Sequence, residues 1–131
     1  MDITPTITTR PERLIVVADH TMGPHQTDSE QIAWWLPVIG PTASALAFTL
    51  ARRATSGETT WDTAVLARTI GLAGNRSKLW ASLERLATFG CAHFASVDVF
   101  TIRLYLPALT PRQAAALPDN LAAAYRIACP A

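Results

Sequence analysis

The sequence predicts an α+β fold, mainly helical, with an extended strand ahead of the helices and a helical tail behind them. Three observations carry this. Apolar residues recur at helical spacing through residues 42–54, 63–70 and 76–89; the period drops to about two across residues 92–106; and "RLIVVADH" is a short β-branched run near the start. The 131 residues suit one compact domain. Half of them are apolar and 16% are charged, enough to build a core and too little charge for a disordered chain.

In chain order, Met1 to Pro11 is threonine- and proline-rich and reads as a loose arm. Leu14 to Ala18 suits a strand that is buried on both faces or paired with another element. "TMGPHQ" breaks the chain, and Thr27 or Asp28 is placed to cap a helix over "SEQIAWWL", which Pro37 should stop. A second helix starts at Pro41 or Thr42 and runs to about Ala54, with Ala43, Leu46 and Leu50 on one face and Ala47 and Phe48 widening it. "ETTW" is a brief strand or extended lead. Asp62 or Thr63 caps the next helix, with Ala64, Leu66, Ala67 and Ile70 inward. After Gly71 to Gly74, a helix begins near Asn75 or Arg76. Its residues Leu79, Leu83 and Leu86 point one way, and Gly90 ends it. "CAHFASVDVFTIRLYLP" follows as a hairpin in which Ile102, Leu104 and Leu106 alternate with Thr101, Arg103 and Tyr105. "PRQAAALPDNLAAAYRIA" reads as one or two helical stretches broken at Pro118.

The net charge is only +1, but it is unevenly spread. Residues 1–30 hold five acids against two arginines, and residues 31–131 hold nine bases against five acids. The only lysine, Lys78, lies in "NRSK" at the start of the helix that carries the three leucines. Cys91 and Cys129 form no paired framework, and no basic stretch followed by an apolar run marks a signal peptide. The apolar zone Ile32 to Leu50 is broken by Pro37, Gly40 and Pro41 and makes a poor membrane span. A reduced cytoplasmic protein is the expectation, with no membrane contact. Cys91, His93, His20 and His25 lack an ordered ligand spacing, so no metal is expected. There is no Gly-rich phosphate loop, nucleophile elbow or paired-acid constellation, so the chain does not read as an enzyme.

The order helix, short strand, helix, turn, helix, hairpin over residues 42–106 resembles the winged helix-turn-helix family. "TAVLARTIGL" is similar to its positioning helix, "NRSKLWASLERLATFG" to its recognition helix and "CAHFASVDVFTIRLYLP" to its wing. "WWLPVIGPTASALAFTL" also resembles the first helix of winged-helix modules in bacterial replication-initiation and primosome-loading proteins. The resemblance divides the chain into an N-terminal arm with a short strand (1–26), the winged domain (27–106) and a linker with a helical tail (107–131). It implies double-stranded DNA as the partner, gripped without a cofactor by a small transcriptional regulator. The positions off the leucine face are Asn75, Arg76, Ser77, Lys78, Ser82 and Arg85, with Arg68 and Arg103 adding backbone contacts. The wing departs from the pattern, being very short and carrying Asp98 where a basic residue would be usual. Trp34, Trp35 and Trp80 are candidates for contact with a protein partner or a second copy in a homodimer. The competing readings are a winged-helix adaptor that binds protein, and a replication-initiation accessory.

Overall fold

The computed structural model describes residues 10–57 and 59–129; the expectation of a loose arm over residues 1–9 lies outside them. The fold is α+β, about half helical, built on a mixed sheet. The helices are α1 (Leu36–Ile39), α2 (Pro41–Thr55), α3 (Thr63–Thr69), α4 (Arg76–Thr88), α5 (Pro111–Ala115) and α6 (Asp119–Ala128), preceded by a 3-10 turn at Glu30–Trp34. The strands are β1 (Arg13–Asp19), β2 (His25–Gln26), β3 (Thr60–Asp62), β4 (Ala92–Phe94), β5 (Val99–Arg103) and β6 (Tyr105–Leu106).

The main sheet has the order β3-β1-β5-β4. β1 lies at its centre, antiparallel to β3 and parallel to β5, with Ile15 opposite Val99 and Asp19 opposite Arg103. It is not buried on both faces. Leu14 and Val16 face the core at 0% exposure, while Ile15 and Val17 on the other face stay 39% and 42% exposed. Of the two alternatives the apolar run allowed, β1 is thus the paired strand, with the alternation of a half-covered sheet, and not the doubly buried one. Against the inner face pack Ala43, Leu46, Ala47, Leu50 and Ala51 of α2 and Leu79, Leu83 and Leu86 of α4, all buried as the helical spacing predicts.

Three local expectations give way. The segment before Pro37 forms a 3-10 turn capped by Ser29, whose side chain accepts from the Gln31 N–H, in place of a helix capped by Thr27 or Asp28. Thr27 is buried and its hydroxyl donates to the Arg103 carbonyl at 2.7 Å. Pro37 does not stop a helix but sits in the first turn of α1, where its missing N–H costs nothing. The second wing strand ends at Arg103, and Leu106 and Tyr105 pair instead with His25 and Gln26 in a separate two-stranded ribbon.

Gly23 sets up that ribbon. A Cβ at Gly23 would strike the backbone carbonyl oxygen of Leu106 and come within 3.0 Å of the Tyr105 carbonyl oxygen. The obstacle is main chain, which cannot swing away as a side-chain tip can. Gly23→Ala is therefore expected to cost about 1–3 kcal/mol, read as a lower urea midpoint; an unchanged midpoint would show that the ribbon yields freely.

Candidate nucleic-acid interface

The pair α3 and α4 is defined by its caps. Asp62 accepts from the N–H groups of Ala64 and Val65 at 2.9 and 3.1 Å, opening α3. Residues 70–75 then reverse the chain through positive φ at Gly71 (88°), Ala73 (52°) and Gly74 (80°). Asn75 caps α4, its side-chain oxygen accepting from the Lys78 N–H at 3.1 Å. Glycine at 71 and 74 supplies the left-handed backbone that L side chains resist; Ala73 adopts it at a modest energetic cost.

The eight residues expected to face DNA separate into two groups. Four make internal hydrogen bonds that the helical spacing did not indicate. Ser82 is only 9% exposed and its hydroxyl donates to the Lys78 carbonyl at 3.1 Å. It lies one step around the helix from Leu79 and Leu86, inside an apolar face wider than three leucines. Arg76 donates from Nε to the Thr63 hydroxyl (3.0 Å) and from Nη2 to the Pro11 carbonyl (3.3 Å). Arg85 donates to the carbonyls of Ile39 (2.6 Å) and Val38 (3.1 Å), the end of α1 where helix carbonyls lack partners. Arg103 donates to the carbonyls of Tyr105 (2.8 Å) and Met22 (2.9 Å).

Asn75, Ser77, Lys78 and Arg68 form the second group, and all four are exposed. Neither Arg68 nor Lys78 makes a side-chain hydrogen bond or ion pair with the described residues. A Cβ at Gly74 would lie 3.9 Å from Arg68 Cγ, which places the Arg68 stem along the turn that leads into α4. The wing adds no cation: Asp98 accepts from the Ser96 hydroxyl at 3.0 Å, and Val97 at its tip is 60% exposed.

Of the tryptophans expected to meet a partner, two are inside the protein. Trp35 is 1% exposed and its Nε1–H donates to the Pro107 carbonyl at 3.0 Å. Trp80 is 4% exposed, stacked on Phe94 with ring centroids 5.9 Å apart. The Arg10 guanidinium lies 5.6 Å from the Trp80 ring and pairs with Glu84 at 3.2 Å. The leader segment thus straps the stripe Arg76, Trp80 and Glu84, a second layer over α4 that a helical wheel cannot show. Trp34 is half-buried, edge-on to Tyr125 at 5.2 Å.

Beside Trp34 lies a cluster that sequence reasoning missed. The Leu109 N–H donates to the Tyr125 hydroxyl (3.0 Å), which lies 3.1 Å from His25 Nε2. The Tyr125 hydroxyl and His25 Nε2 thus share a buried hydrogen bond whose donor is set by the His25 tautomer. Burial pushes the His25 pKa below its ordinary value. The unfolded chain then binds a proton that the folded chain refuses, so this part of the stability is complete above about pH 6.5 and is lost as the pH falls below it. His25→Gln is expected to flatten the pH dependence of the urea midpoint between pH 7.5 and 5.5; an identical slope in both proteins would contradict this. Cys91, buried at 0% exposure, has its thiol pushed up to about 12 by burial and is an inert core residue.

Among the described residues no group of three or more His, Cys, Asp or Glu side chains is placed to hold a metal, and no helix is long and apolar enough to cross a membrane. Comparison with protein-family models, curated proteins and solved structures finds no match to this chain.

Proposed function

We propose that this protein binds duplex DNA in the manner of a winged helix-turn-helix regulator, through the first turn of α4 and the end of α3. The observation that carries the reading is the pair of cations, Arg68 and Lys78, whose side chains have no hydrogen-bond or ion-pair partner among the described residues, beside the exposed Asn75 and Ser77. The other arginines of this helix pair are engaged, Arg76 by the Thr63 hydroxyl and the Pro11 carbonyl and Arg85 by the Ile39 and Val38 carbonyls, so among the described residues Arg68 and Lys78 stand apart. The helix N-terminus adds its own positive end and free N–H groups, which favour a phosphate oxygen. Ser77 and Lys78 suit a phosphate or a base edge, whereas Asn75 already uses its oxygen in the cap. Element order through α2, β3, α3, α4, β4 and β5 supports the resemblance, with one departure. β1 stands between β3 and the hairpin, giving four strands where β3 and the hairpin alone would give three.

The footprint is small, and a second copy bound to a neighbouring half-site would double it. Fluorescence anisotropy with a labelled random duplex tests the reading. Affinity should fall steeply between 50 and 200 mM salt, and each lost phosphate contact should reduce the slope of log K against log salt by about 0.9. Arg68→Ala combined with Lys78→Ala should weaken binding at low salt at least about tenfold. No binding by the wild type at 50 mM salt, or undiminished binding by the double variant, would overturn it. The adaptor reading loses Trp35 and Trp80, which are buried, and keeps Trp34 and the outer face of β1 with Ile15 and Val17.

A further inference from the structure

We propose that the cleft between the 3-10 turn, the Ala108–Pro111 segment and α6 is a binding site for a small aromatic carboxylate. The cavity measures about 590 Å³, within the range of pockets that enclose small organic ligands, about 300–1,000 Å³. Its walls include Trp34, Leu109, Ala114 and Tyr125, with His25 beneath and Arg126 at the mouth.

Chemistry fixes the class of ligand. The polar groups of the floor satisfy one another: Leu109 N–H donates to the Tyr125 hydroxyl, and that hydroxyl is hydrogen-bonded to His25 Nε2. The floor therefore offers ring faces and aliphatic carbon, with Trp34 and Tyr125 standing at 75° to each other, an arrangement that receives a flat aromatic body against one face and one edge. Gln31, also at the wall, is already tied, its side-chain oxygen accepting from the Gln26 N–H at 2.7 Å. Among the described residues the lining contains one Lys or Arg side chain, the exposed Arg126 guanidinium, and no Asp or Glu. Arg126 makes no side-chain hydrogen bond or ion pair with the described residues. A guanidinium at the rim of an apolar cleft matches a planar carboxylate with two parallel hydrogen bonds.

Isothermal titration of the full chain with 1-naphthaleneacetate and with its uncharged amide, 1-naphthaleneacetamide, tests the site. The carboxylate should bind, and the amide about tenfold more weakly, as expected for loss of a charge-assisted hydrogen bond. Arg126→Gln, a surface change, should erase that preference by bringing the carboxylate to the amide's affinity. Ala114→Phe, which fills the cavity, should abolish binding of both, its fold being checked by circular dichroism. The proposal is overturned if the carboxylate fails to bind at millimolar concentration, if the amide binds as well, if Arg126→Gln keeps the preference, or if folded Ala114→Phe binds normally.

Discussion

Trp35→Ala is expected to destabilise the protein by about 3–5 kcal/mol, a large part of the stability of a domain this size. Trp35 is among the largest fully buried side chains, at 1% exposure, and its ring closes the junction between α1 and the segment that leaves β6. Truncation removes the apolar area and opens a cavity, and it also leaves the Pro107 carbonyl without its indole donor. Trp34→Ala is the control one residue away. It is half-buried, and its ring contact is the edge-on approach to Tyr125, so about 1–2 kcal/mol is expected. Urea unfolding followed by circular dichroism separates the two. Equal costs, or a larger cost at Trp34, would refute the assignment of Trp35 to the core.

Arg76→Ala and Lys78→Ala should have opposite phenotypes although the residues are two apart. Arg76 bonds Thr63 and the leader carbonyl of Pro11, so its loss should cost about 1.5–3 kcal/mol and make the segment around Arg10 easier to cleave. The Lys78 side chain makes no hydrogen bond or ion pair among the described residues, so its loss should leave stability within about 0.5 kcal/mol while lowering DNA affinity and the salt slope. A full-stability Arg76→Ala protein with impaired DNA binding would place Arg76 on the nucleic acid and refute the tethering role.

How much was legible follows from how local each signal is. The starts of α3 and α4 depend on Asp62 and Asn75 bonding amides two or three residues on, and the inward leucines of α4 on spacing within one helix, so all were readable. The centre of the sheet was not. Ile15 meets Val99 across most of the chain length, and nothing in a seven-residue run names a parallel partner that far away. The candidate site was half readable for the same reason. Arginine carries its donors far enough to reach main chain that is distant in sequence, as Arg85 does to Ile39 and Arg103 to Met22, so position on a helical wheel cannot separate a tether from a free cation. Lys78 and Ser77 were identified correctly as exposed because the first turn of a helix is set by its own cap. His25 and Tyr125 lie a hundred residues apart, and their only hint was a tyrosine in an otherwise alanine-rich tail.

The placement of β1 between β3 and β5 has a consequence for biosynthesis. Its parallel neighbour emerges from the ribosome more than eighty residues later, so the β5 edge of β1 has no partner while α2, β3, α3 and α4 are being made. Closing so long a loop costs entropy, and folding is expected to be slower than in a helical chain of this size built on local contacts. Until the hairpin is made, the open edge of β1 is the place where another extended segment could pair.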